Sequence, residues 1–241
     1  MLAAVMLLSL FAWWRFWFFL RNPKREIVAN DARILSPADG FVIYIRRVEP
    51  GDAIFAIKGR QVIHLEDLMQ LGDARLNDRR GWLVGIYMSP FDVHYNRAPI
   101  RGHLRKLGHG FPGAARRNLT MFDGQANLTF DVRPYWTECD YLVTNERASY
   151  VIANEARALY VTQIADRWVR KIVSFVDDAE VSQGQVFGLI RMGSQVDLFV
   201  PDDGLELAVR VRERQHVKAG LTTLFELKSS TATNRPAAPA P

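Results

Sequence analysis

Residues 185–199 read QVFGLIRMGSQVDLF. Two short apolar runs, Gln185 to Arg191 and Gln195 to Phe199, have the Val, Ile, Leu and Phe content of strands, and Gly193-Ser194 interrupts them. The same pattern repeats outward. Strand-like runs occupy Gly40 to Ile45, Ala53 to Ile57, Trp82 to Tyr87, Asn127 to Val132, Tyr141 to Thr144, Ser149 to Ala153 and Ala158 to Ile164, then Leu205 to Val211 and Leu221 to Phe225. Gly, Pro, Asn or Asp punctuates many of the gaps. This predicts a mainly β fold with a few short helices (α+β), a barrel or sandwich rather than alternating βαβ units. Two stretches have helical spacing. Leu65 to Leu71 sets Leu65, Leu68 and Met69 at i, i+3 and i+4. Ile164 to Val176 keeps apolar residues at Ile164, Trp168, Ile172 and Phe175, where a strand is an equal alternative.

The chain has 241 residues, 49% hydrophobic and 24% charged, enough to bury a sizeable core and too apolar for general disorder. Its single cysteine, Cys139, excludes a disulfide framework and any metal site needing two thiolates, and fits a reducing compartment. The net charge of +5 is mild and favours an anionic surface over nucleic acid. Residues 1–20, MLAAVMLLSLFAWWRFWFFL, carry one charge, Arg15. Twenty residues at 1.5 Å each cover roughly the 30 Å of a bilayer core. Trp13, Trp14 and Trp17 suit an interfacial belt, and Arg21, Lys24 and Arg25 follow the run instead of preceding it as in a signal peptide. A retained N-terminal hydrophobic helix, spanning or interfacial, is therefore expected, with the bulk of the protein on the cytoplasmic face of the cell membrane. A helix packed on the domain is the alternative. Residues 21–228 form the expected domain, and the low-complexity end, residues 229–241, a disordered tail.

Gly108, Gly110 and Gly113 make a formal G-x-G-x-x-G, but Pro112 lies inside it and charged residues precede it, so turns explain these glycines better than a dinucleotide loop. His103 and His109 have no carboxylate at ligand spacing, and no metal is expected. Arg101, Arg105, Lys106, Arg116 and Arg117 surround Phe111-Pro112, either a solvated face or a surface for anionic lipid headgroups.

Three segments carry chemistry that fits together. Ser36-Pro37-Ala38-Asp39-Gly40 precedes a strand, and its Asp-Gly could equally be a simple turn. Ser89 to Pro99, SPFDVHYNRAP, gathers Asp92, His94, Asn96 and Arg97 after an apolar strand. Arg191-Met192-Gly193-Ser194-Gln195-Val196-Asp197 sets Gly-Ser between two apolar runs.

The set, in this order, resembles the phosphatidylserine decarboxylase family from about Arg21 to Pro201. Arg21-Asn22-Pro23-Lys24-Arg25 is similar to the family's basic segment after its membrane-associated N-terminus. The SPADG and SPFDVHYNRAP segments are similar to its acidic and histidine motifs, and Asn145-Glu146-Arg147 with Val161-Thr162-Gln163-Ile164-Ala165 also resembles the short bacterial and archaeal group. Phe187 to Ser194 is similar to the region where these proenzymes cut themselves. Lys58-Gly59-Arg60 and Leu65-Glu66-Asp67-Leu68-Met69 look more like the longer bacterial form. That form commonly has a second histidine where Arg97 stands here, so its role cannot be carried over.

The resemblance implies a barrel of the biotinyl/lipoyl-like sort and self-cleavage between Gly193 and Ser194, the Ser194 hydroxyl attacking the preceding carbonyl and ending as a covalent pyruvoyl group. It implies that Asp39 and His94 assist, with Asp92 a further candidate. The pyruvoyl carbonyl would form a Schiff base with phosphatidylserine and act as electron sink as CO2 leaves. His94, with an ordinary pKa near 6.5, would reprotonate the carbon to give phosphatidylethanolamine. Arg97 is a candidate for the lipid phosphate, and a homodimer of cleaved protomers is the family expectation. The alternatives are a family member acting on another amine, a hydrolase built on Ser194, His94 and Asp39, or a non-catalytic β-rich membrane adaptor.

Overall fold

The computed structural model describes residues 1–57, 61–70, 76–110, 121–130, 141–165, 172–191 and 194–228. The chain begins with α1 (Leu2–Trp13) and a π-helical turn (Trp14–Phe18). Next come β1 (Arg33–Leu35), β2 (Gly40–Val48), β3 (Phe55–Ile57), β4 (Gln61–Ile63), α2 (Leu65–Met69), β5 (Gly81–Met88), β6 (Tyr95–Arg97) and β7 (Gly102–Gly110). Then follow α3 (Met121–Phe130), α4 (Tyr141–Thr144), β8 (Arg147–Ala153), β9 (Ala158–Ala165), β10 (Ile172–Ser174), β11 (Asp178–Val181) and β12 (Val186–Ile190). The chain closes with β13 (Ser194–Pro201), β14 (Leu207–Val209), β15 (His216–Val217) and β16 (Thr223–Leu227).

Residues two apart on a strand share a face, so the central strands β5, β9 and β13 feed two cores. On β13, Val196, Leu198 and Val200 join Val84, Ile86, Val161 and Phe187 in one core, while Phe199 joins Leu83, Tyr87 and Ile164 in the other. The second core is closed by Leu65, Leu68 and Met69 of α2 and by Leu142 of α4. A sheet covered on both faces needs near-continuous apolar strands, which is why these runs stood out in the sequence. The large sheet has the antiparallel order β11-β7-β8-β9-β13-β5-β2-β15. Two smaller sheets, β1-β16-β14 and β10-β12-β6, add Ile34, Phe225, Ile172 and Phe187 to the first core; β3 and β4 pair as a separate hairpin.

The expected barrel is not closed. Among the described residues no sheet returns on itself, and the large sheet ends at β11 and β15. β15 is two residues long, and β11 exposes Asp178 and Glu180, an edge that discourages a further strand. Two expected strands are helical: Asn127 through Phe130 lie in α3 and Tyr141 to Thr144 form α4. A short apolar run has no periodicity to separate the two states. The ambiguous Ile164 to Val176 stretch is strand at both described ends, in β9 and β10. Gly108 and Gly110, expected in turns, lie within β7, whose charged residues masked its alternation of buried Gly102 and Leu104 with exposed His103 and Arg105. Gly193, Gly113, Cys139 and the expected tail, residues 229–241, lie outside the described residues. Among the described residues no helix is long and apolar enough to cross a membrane; α1 buries none of its side chains.

Candidate active site

The 89–94 loop is tied off by its own backbone. Asp92 accepts a bond on Oδ2 from the Ser89 N–H at 2.8 Å, and the Asp92 N–H donates to the Ser89 carbonyl at 3.0 Å. The remaining oxygen, Oδ1, lies 2.7 Å from His216 Nε2. Burial disfavours the Asp92 charge, but the bonds from His216 and Ser89 outweigh it and hold its pKa below the ordinary carboxylate value. The same contact raises the pKa of His216. His216 comes from β15 and was not singled out in the sequence. It stands 124 positions from Asp92 with no motif around it, and only the pairing of β15 with β2 brings it here.

His94 is fully buried, and its Nδ1 lies 3.0 Å from the Asp92 carbonyl. A carbonyl can only accept, so Nδ1 carries the proton and Nε2 presents a lone pair. Nε2 is buried with no hydrogen-bond partner among the described residues. Burial, opposed by the bond to Asp92, lowers the imidazole pKa to about 4. The expectation of an ordinary value near 6.5 is therefore corrected: His94 is neutral at pH 7, its Nε2 lone pair unprotonated though weakly basic, and the ring, once protonated, is a strong donor.

Asp39 is held differently. Arg25 grips both carboxylate oxygens, at 2.6 and 2.7 Å, and the Ala219 N–H donates to Oδ1 at 2.7 Å. Arg25 also donates to the Ala219 carbonyl. The Asp-Gly pair has a steric reason. Gly40 has φ +150°, and a Cβ there would meet the Tyr87 carbonyl oxygen at 2.1 Å. No bond joins Asp39 to His94 among the described residues, so these two do not form the relay of a triad hydrolase.

Arg97, buried on β6, donates to the Gly184 carbonyl at 3.0 Å, to Asn22 Oδ1 at 2.9 Å and to the Pro23 carbonyl at 3.4 Å. Its Nε has no partner among the described residues. Arg97 lines a cavity of about 570 Å³ with Asn22, Lys24, Arg25 and Val186. Asn96 accepts a bond from Gln163 Nε2 at 2.6 Å.

Described residues on either side of Gly193, Ile190 and Ser194, neighbour this loop. The Ile190 N–H donates to the His94 carbonyl at 3.2 Å. On the other flank, Ser194 stands opposite Met88, the residue before Ser89, in the β13–β5 register. The N-terminal segment, expected as an anchor with packing on the domain as the alternative, reaches the site: Phe19 is buried against the His94 ring.

The family model for phosphatidylserine decarboxylase matches residues 13–224. A phosphatidylserine decarboxylase proenzyme of Magnetococcus marinus is 32% identical over 218 residues, covering 90% of this chain and 79% of the relative. One from Novosphingobium aromaticivorans is 34% identical over 211 residues, covering 87% and 71%. One from Cytophaga hutchinsonii is 32% identical over 213 residues, covering 88% and 76%. The family model and these relatives define a decarboxylase, a lyase of the kind made as a proenzyme. The chain belongs to the phosphatidylserine decarboxylase family.

Proposed function

We propose that this chain cuts itself between Gly193 and Ser194, carries a pyruvoyl group on the new N-terminus, and converts phosphatidylserine to phosphatidylethanolamine and CO2. The observation that carries the reading is where the residues on either side of the cut lie. Ile190 is bonded to the loop that holds a buried, unpartnered imidazole nitrogen, and Ser194 pairs in register with Met88 at the end of β5, where that loop begins. In the maturation step the Ser194 hydroxyl attacks the Gly193 carbonyl and the peptide bond becomes an ester. Elimination releases residues 1–193 with a Gly193 carboxylate and leaves dehydroalanine at 194, and water replaces its amine, lost as ammonia, to give the pyruvoyl carbonyl. Serine needs a base for this. His94 Nε2 takes that proton, because the Asp92 carbonyl fixes the tautomer and burial keeps the ring neutral. Asp39 and Asp92 hold the surrounding loops in register through Arg25 and His216.

The same unpaired nitrogen fits a carbonyl prosthetic group that must be served by a proton carrier in a dry site. Formed from Ser194, the pyruvoyl group would supply an electrophilic carbonyl to take up the electron pair released with CO2. His94 then returns a proton to the substrate carbon, a transfer its low pKa favours. Arg97, which lines the adjoining cavity together with Lys24, serves the lipid phosphate. Helix α1, apolar and exposed, and the basic residues Arg101, Arg105 and Lys106 hold residues 21–228 against anionic lipid on the cytoplasmic face of the membrane. The cleaved protomers form a homodimer.

Intact-mass measurement tests the central step. Wild-type protein should yield fragments of residues 1–193 and 194–241, the smaller one blocked at its N-terminus, and Ser194→Ala should remain one chain without decarboxylase activity. Uncut wild-type protein that is fully active on phosphatidylserine sinks the reading.

A further inference from the structure

We propose that Phe19 is a positioning residue for His94: the N-terminal segment lays this ring over the imidazole as a lid, keeping water from Nε2 and its lone pair free for self-cleavage. The inference rests on the role given to His94 above.

Residues 1–20 expose Leu2, Leu7, Phe16 and Trp17, yet bury one side chain completely, Phe19. Its ring centroid lies 3.9 Å from that of His94, with the planes inclined by 30°. The π-helical turn delivers it. This wider turn, closed by the Phe19 N–H on the Trp14 carbonyl at 2.8 Å, directs residue 19 inward from a helix that otherwise stands clear of the body. Trp14 meets Phe19 edge-on at 5.4 Å, and the Arg15 guanidinium lies 5.6 Å from the same ring. Arg21 latches the lid, donating to the Phe18 and Phe91 carbonyls while its guanidinium stacks 3.8 Å over the Phe18 ring. Asn22 and Pro23 are then held by Arg97. The lid is thus fastened to the 89–94 loop and to β6, and cannot shift without disturbing both.

The charged groups around His94 are largely spoken for. Asp92 is bonded to His216, Asp39 to Arg25, and Arg21 serves the Phe91 carbonyl. The two carboxylates favour a protonated imidazole and Arg21 disfavours it, but burial is the largest influence and lowers the pKa to about 4. One wall of that burial is the Phe19 ring. With the lid gone, water reaches Nε2, the ring returns toward its ordinary value, and less of it is free to take the Ser194 proton in mildly acidic solution.

The test is an NMR titration of the histidine ring nitrogens in the full-length Ser194→Ala chain, together with the pH profile of self-cleavage in the otherwise wild-type chain. Phe19→Ala should raise the His94 pKa by about one to two units, whereas Phe19→Leu, still apolar, should hold it within about half a unit. The acid limb of self-cleavage should move with it, slowing the Phe19→Ala reaction roughly fourfold at pH 5 for a pKa near 5.5. Trp14→Ala, which only loosens the lid, should give a smaller upward shift and decides the matter if Phe19→Ala does not fold. An unmoved pKa in the variant that folds, or an equal rise in Phe19→Leu, overturns the lid. A raised pKa with an unmoved cleavage profile leaves the lid standing and removes His94 from self-cleavage.

Discussion

The 89–94 loop and strand β13 each bury an aspartate, and the two ionise in opposite directions. Asp92 is 6% exposed and Asp197 is 0% exposed, so burial opposes the charge in both. At Asp92 an imidazole and a backbone N–H engage both oxygens, and the pKa falls. At Asp197 burial dominates. Gln195 and Tyr44 donate to Oδ1, both at 2.7 Å, while Oδ2 is buried without a partner among the described residues, and the pKa rises to about 7. Neutral donors do not replace a cationic one in a dry interior. Asp197 instead joins a structural network in which Tyr141 donates to Gln195 Oε1 at 2.6 Å. Gly85 leaves room for it, since a Cβ there would strike the Tyr44 ring at 2.3 Å. One aspartate keeps its charge beside the chemistry; the other is positioned to give it up beneath the sheet.

The sharpest way to break this comparison is kinetic. His94→Gln should slow self-cleavage by about 10² to 10⁴-fold, the usual range for general acid–base assistance, while Asp197→Asn should leave it within about threefold. Gel densitometry of precursor against time reads both. Equal slowing by the two substitutions would show that the strand network belongs to the chemistry.

The next effect is on stability against pH, measured by urea unfolding in the Ser194→Ala chain so that every sample is one polypeptide. A carboxyl with a folded pKa above its unfolded value holds its proton more tightly when folded. The stability Asp197 lends is therefore full below pH 3.8 and is lost as pH rises toward 7. Over that window the wild-type advantage over Asp197→Asn should shrink by about 4 kcal/mol. His94, with its depressed pKa, works in the opposite sense between pH 4 and 6.5, so the difference between chains is the quantity to follow and not the wild-type slope. A difference that stays constant from pH 4 to pH 8 would mean that Asp197 is ionised throughout.

His216→Gln should have the smaller effect, about 1 kcal/mol or less, because His216 is partly open to solvent and its pair with Asp92 is screened. The sign differs on its two sides. The raised pKa of His216 makes its contribution full below pH 6.5 and lost as pH rises through the folded value. The lowered pKa of Asp92 makes its own contribution present above pH 3.8 and lost as pH falls further. The wild-type advantage should thus peak near pH 5 and decline on both sides. A flat profile would reduce the pair to a neutral hydrogen bond.

Much of the scaffold was legible because burial on both faces forces long apolar runs, and β2, β5, β9 and β13 could be placed within a few residues of their observed ends. β7 escaped because an alternation of glycine and leucine with charge looks like a loop until its neighbours are known. α4 was misjudged because four residues cannot display a period. The motif residues Asp39, Asp92, His94 and Arg97 stood out because their segments, in order, resemble those of the family.

Their partners did not. Arg25 was visible only as part of a basic segment, His216 as a lone histidine, and Phe19 as one aromatic among many in an apolar anchor. The sequence by itself determined which side chains carry protons and charge, because that is a property of residue type. Only the tertiary structure decided which carboxylate stays ionised, which nitrogen of His94 is free and which ring covers it, since desolvation and pairing are set by neighbours that arrive from distant parts of the chain.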